Sequence, residues 1–125
     1  MKDEVRVILR RAEDFFKDAE EDFKRKSYDI AMFHIEQACQ LIIKAKLLDL
    51  IGFFERTHSL RKLLHMLSRI FKTEDVLRFI RENKQVLRNL EYAYITARYL
   101  PEEFDKEDVL EAFEVYKKLR DLLWK

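Results

Sequence analysis

The chain has one glycine (Gly52), one proline (Pro101) and two asparagines in 125 residues, and that scarcity narrows its possible folds more than any other feature. Strands need tight turns, and tight turns draw on Gly, Pro, Asn and Asp for backbone conformations that other residues resist. A sheet of several strands would exhaust the supply at once. Helices joined by short loops need few such residues, so the expected fold is all-α. The length suits one domain over 1–125, a compact bundle of about five helices with an up-down antiparallel core.

Hydrophobic spacing places the helices. The first is expected over about Asp3 to Arg25, where Val5, Ile8, Ala12, Phe15, Ala19 and Phe23 recur at three- and four-residue steps on one face. Glu13 with Lys17, Glu20 with Lys24 and Glu21 with Arg25 are spaced to pair on its wet side. Ser27 is placed to cap a second helix running to Ile51, with Asp29 in its first turn and Gly52 just past its end. Its apolar residues, from Ile30 and Phe33 to Leu48, cover more than half its circumference, which makes it the centre of the bundle. Thr57 is expected to cap a third helix over His58 to Phe71, with Leu60, Leu63, Leu64, Leu67, Ile70 and Phe71 inward. Thr73 opens a fourth, which the ring of Pro101 ends at Leu100. Asp105 caps the last, whose core face is Val109, Phe113, Tyr116, Leu119 and Leu123.

Charge and cysteine usage exclude several classes. Twenty-five basic and 24 acidic residues leave a net charge of +1, so the molecule as a whole is no electrostatic nucleic-acid binder. The balance is uneven: residues 56–98 hold ten Lys/Arg against four Asp/Glu, and residues 99–125 hold five against eight. Anionic ligands should prefer the middle of the chain. Cys39 is the single cysteine, so no intrachain disulfide can form and a reducing compartment is expected. The opening MKDEVRVILRR has no apolar signal-like core, and no stretch is apolar enough to span a bilayer, so the reading is cytoplasmic with no membrane association. Abundant Glu, Lys and Arg beside only five Asn and Gln is a bias of the hyperthermophile kind.

Few residues have the spacing of a reaction centre. A carboxylate-bridged di-iron bundle needs two Glu-x-x-His pairs, and only Glu55 with His58 has that spacing, so no metal is expected. A single glycine rules out a Gly-rich phosphate loop, and no other cofactor is indicated. Cys39, within the central helix, reads as a small inert core residue. Two constellations remain. Arg78, Arg81, Lys84, Gln85 and Arg88 give the fourth helix a basic stripe, either a solvated face or a grip for nucleotide or RNA phosphates. His34, Gln37, Gln40 and Lys44 form a polar seam on the central helix, either a set of satisfied structural hydrogen bonds or the wall of a cleft or subunit contact.

AMFHIEQACQLIIKAKLL (31–48), THSLRKLLHML (57–67) and LEYAYITARYLPEEFDKEDVLEAFE (90–114) together resemble the HEPN family, named for nucleotide binding in higher eukaryotes and prokaryotes, in its stand-alone prokaryotic form. The matching features are His34, Gln37-Ala38 and Lys44-Ala45, then Thr57-His58, then Tyr94, Arg98-Tyr99 and Pro101. The resemblance implies a helical bundle that forms a homodimer, is often encoded beside a minimal nucleotidyltransferase, and in several cases acts with it as toxin and antitoxin. The family's ribonucleases carry Arg, four to six residues, then His on the fourth helix. Here Ala93 stands where a four-residue spacer after Arg88 would put the His, and Tyr94 where five would, and no Arg in the chain is followed by His at the required distance. The reading is therefore a non-catalytic or degenerate HEPN domain. It would bind nucleotide or RNA through Arg78, Arg81, Lys84, Arg88 and Arg98, and meet a partner through His34, Gln37, Lys44, His58 and Tyr94. The alternatives are an RNA-cleaving toxin using Arg88, Arg98 and a tyrosine or His58, and an interaction module with no ligand. Sixteen aromatics, among them Phe15-Phe16, Phe53-Phe54 and Tyr92 with Tyr94, exceed what one core stripe can face, leaving apolar surface for a second copy.

Overall fold

A computed structural model describes residues 1–125 as six helices and no strand: α1 (Asp3–Lys24), α2 (Tyr28–Ile51), α3 (Leu60–Ser68), α4 (Thr73–Glu82), α5 (Lys84–Tyr99) and α6 (Lys106–Trp124). They are the five expected helices with the fourth divided. The division falls at Asn83, whose backbone leaves the helical region (φ −119°, ψ 21°). Its side-chain Nδ2 and its backbone N–H both donate to the Phe79 carbonyl, at 2.9 and 3.0 Å, and close α4 there.

Contacts between helices fix their directions. Lys2 Nζ, at the start of α1, donates to the Leu48 carbonyl near the end of α2 (3.2 Å), so those two helices are antiparallel. The Phe104 N–H, just ahead of α6, donates to Asp29 Oδ1 at the start of α2 (2.6 Å), and Trp124 Nε1 at the other end reaches the Ile42 carbonyl (3.1 Å). So α6 runs with α2. Tyr94 lies against His58, and Arg98, one turn later, against Phe33 near the start of α2, so α5 opposes α2. Helices α1, α2, α5 and α6 thus form an up-down-up-down bundle, and the short α3 and α4 are inserted between its second and third members.

Helix α2 packs against α1, α3, α5 and α6. Met32, Ile35, Ala38, Cys39, Ile43 and Leu47 have no solvent exposure, as a helix at the centre of the core requires. Gly52 closes it in the left-handed region at φ 80°, where an L side chain would be strained. Asp105 caps α6 with a full capping box: its side chain accepts from the Asp108 N–H, and Asp108 accepts from the Asp105 N–H. Leu100 is extended ahead of Pro101, which ends α5.

Local expectations shift where tertiary contacts outweigh helical spacing. Phe16, not Phe15, enters the core of α1, stacked on Tyr116 at 4.6 Å and edge-on to Phe113. Ile30 and Ile70 face solvent, Tyr28 rather than Ile30 packing on the core at the start of α2, and α3 ending at Ser68 before Ile70. Ser59 rather than Thr57 caps α3, accepting from the Lys62 N–H at 3.2 Å. Ser27 precedes α2 without a capping bond, and Asp29 is committed to Phe104. Glu13 does not pair with Lys17; it takes Arg120 at 3.1 Å and the Tyr116 hydroxyl at 3.2 Å, tying α1 to α6. Lys24 pairs with Glu21, and Arg25 with Asp22.

Candidate functional site

The polar residues of α2 form two separate clusters. On one side Asp22, 1% exposed although charged, is bonded by Arg25 and by His34 Nδ1 at 2.6 Å. A carboxylate can be buried only when its oxygens are satisfied, and α1 supplies one partner and α2 the other. The His34 ring lies between Phe15 and Phe33, each 5.8 Å away. His34 is therefore part of the α1–α2 seam.

The second cluster lies where α2, the segment before α3 and α5 meet. At its floor Glu36 has no exposure. Its carboxylate accepts from Gln37 Nε2 (2.8 Å) and from Gln40 Nε2 one turn on. Burial outweighs these bonds and the nearby Lys44 ammonium, and pushes the carboxyl up to about 7. The Gln40 nitrogen also reaches His58 Nδ1, a long link of 3.5 Å. His58 stacks on Tyr94, centroids 4.3 Å apart and planes 23° from parallel, so the Tyr94 hydroxyl meets His58 Nε2 obliquely at 3.0 Å. Lys44 sits over the Phe54 ring, and burial lowers its ammonium from the ordinary lysine value.

Arg98 completes this face. Its Nε and Nη2 donate to the Tyr94 carbonyl at 3.0 and 2.8 Å, holding the guanidinium over Tyr94 (4.6 Å), Tyr99 (4.8 Å) and Phe33 (5.1 Å). Both of its hydrogen bonds go to that one carbonyl. Beside it Glu91 is held by Arg61 Nε at 2.8 Å and by the Ser59 hydroxyl at 3.2 Å, which ties α5 to the start of α3.

Of the expected site residues, the structure brings together Gln37, Lys44, His58, Tyr94 and Arg98, and places His34 apart. Arg81, Lys84 and Arg88 are exposed, but the break at Asn83 distributes the stripe over two helices. Arg78 pairs with Asp75 at 3.2 Å. It lines the largest surface cavity, about 600 Å³, with Glu82, Asn83 and Lys118, and that cavity shares no residue with the His58 cluster. Ala93 is fully buried, so the position reached by a four-residue spacer after Arg88 faces the core, not the site. Sequence reasoning missed Asp22, Glu36 and Glu91. A Glu followed four residues later by Gln on an otherwise apolar helix was the one signal available for Glu36.

On the outer face of α5, Arg88, Tyr92, Ile95 and Tyr99 follow at steps of four, three and four. Tyr92 is 48%, Ile95 52% and Tyr99 71% exposed. No helix of the chain is long and apolar enough to cross a membrane. The family model for the HEPN domain matches residues 5–125. No curated protein matches the sequence.

Proposed function

The chain belongs to the HEPN family, and we propose that within it this is a non-catalytic member: a cytoplasmic homodimer that docks a minimal nucleotidyltransferase and takes a phosphate-bearing nucleotide or RNA on the His58–Tyr94–Arg98 face. The observation that carries the reading is Ala93. A ribonuclease of this family needs an imidazole after a spacer of four to six residues beyond its arginine on one helix, and a general acid or base must reach the proton it moves. After Arg88 those positions hold Ala93, a methyl group turned into the core, then Tyr94 and Ile95, and none carries an imidazole. What faces outward is an anchored guanidinium among aromatic rings, a suitable surface for stacking and for phosphate oxygens. The apolar stripe on the outer face of α5 supports dimerisation, since tyrosine and isoleucine exposed on one face bury well against a second copy.

A second reading has one observation in its favour. His58 brings an imidazole against Tyr94 from a different segment, so an RNA-cleaving toxin using Arg88, Arg98 and His58 is chemically conceivable. One measurement tests the dimer that both readings share, and a second separates them. Light scattering at micromolar concentration is expected to give twice the monomer mass, and incubation with single-stranded RNA without metal is expected to leave the RNA intact. Cleavage that is lost in Arg88→Ala or His58→Ala would replace the first reading with the second.

A further inference from the structure

Glu36 is the inner end of a chain of polar contacts that leads out to the ligand face. An amide nitrogen can only donate. While Glu36 is ionised, the Gln40 nitrogen donates to it and also faces His58 Nδ1 at 3.5 Å, so Nδ1 accepts. A neutral imidazole then carries its proton on Nε2, 3.0 Å from the Tyr94 oxygen. That oxygen accepts, and the hydroxyl hydrogen is left free to point away from His58. Protonating Glu36 reverses each step. Its new O–H needs an acceptor, and Gln40 supplies one by turning its amide so that the oxygen replaces the nitrogen. His58 then donates through Nδ1, and the bare Nε2 takes the hydroxyl hydrogen of Tyr94.

We propose that Glu36 is a positioning residue, acting through Gln40 and His58 to decide whether Tyr94 offers its hydroxyl proton to a phosphoryl oxygen held beside Arg98. The phosphoryl part rests on the ligand reading above; the relay rests on the contacts that join Glu36, Gln40, His58 and Tyr94. Arg98 fits that ligand because two of its nitrogens are engaged by the Tyr94 carbonyl while other donors of its fork remain. The charges acting on Glu36 are Lys44 from its own helix, which favours ionisation, and Glu91 from α5, which opposes it; His58 reaches it through Gln40. Burial is the larger influence and holds the carboxyl near neutrality, so both states of the relay are populated at ordinary pH.

Nitrogen-15 NMR of histidine-labelled protein tests the relay, because the ring shifts separate the two neutral tautomers from the imidazolium. The wild type is expected to hold the Nε2–H tautomer of His58 at pH 8 and to move toward Nδ1–H as pH falls through about 7. In Glu36→Gln the ratio of neutral tautomers should no longer respond to pH, and Gln40→Met, which keeps Glu36 but breaks the link, should also abolish the response. A ratio that stays constant in the wild type, or shifts identically in both variants, overturns the relay. Calorimetric titration with AMP at pH 8 tests the ligand half: Tyr94→Phe should bind about fivefold more weakly, the loss of one hydrogen bond. Equal affinity would show that Tyr94 donates nothing. If the wild type binds no AMP, the phosphoryl assignment falls together with the ligand reading, and the tautomer measurement still decides the relay.

Discussion

At Glu36 the folded chain holds a carboxyl that water would ionise far more readily, and the sign of its effect on stability follows. Its value rises from 4.5 to about 7 on folding. Between those limits the native state keeps a proton that the unfolded state has lost, so this group's contribution to stability falls as pH rises through the window and is level above it. Glu36→Gln has no such proton. Across pH 4.5 to 7.5 the wild type should lose about 3 kcal/mol relative to the variant, from 1.36 kcal/mol per pH unit. Urea unfolding of both proteins at four or five pH values measures the difference, and parallel profiles would mean that Glu36 titrates normally. Glu36 is legible in the chain only through Gln40 one turn on, and Asp22 is not legible at all. Asp22 lies in EEDFKRK, a run that reads as solvated, and only the fold brings His34 across to it. Helical spacing reports which face a side chain is on, but not which neighbours close over it.

At the scale of helices, α2 and α6 were the readable elements, because their signals are local. The apolar girth of α2, Gly52 after it and Asp105 before α6 each act within a turn or two of their own position. The long fourth helix was misjudged because Lys84 to Tyr99 continue the helical pattern of Thr73 to Glu82, and an asparagine is a weak breaker. Its effect here depends on a side chain turning back to the Phe79 carbonyl. The same elements limit what can be engineered. Ala93 is fully buried on α5, so Ala93→His would force an imidazole into a packed core and not into the site. A loss of about 1–3 kcal/mol is expected from overpacking, with no gain of RNA cleavage. Thermal unfolding and a cleavage assay read the two parts, and a variant that keeps its melting temperature and cuts RNA would contradict both.

For the whole molecule, the exposed stripe of α5 separates assembly from folding. Ile95 is half exposed, so Ile95→Glu should leave the monomer's fold intact while placing two carboxylates at the contact proposed between copies. Light scattering should then report the monomer mass with an unchanged far-UV spectrum, and a persistent dimer would move the interface elsewhere. The interruption at Asn83 has its own effect on motion. Asn83 shares one backbone hydrogen bond with each flanking helix, and none passes directly from α4 to α5. Nothing in the backbone ladder therefore makes the unwinding of one helix cost the other its bonds. The molecule is divided into units that open at different free energies: α2 only when everything unfolds, α4 with its ten residues well before. In deuterated water the amides of Val76 to Ile80 should exchange ahead of those around Ile43, with Asn83 as the boundary at which that opening stops.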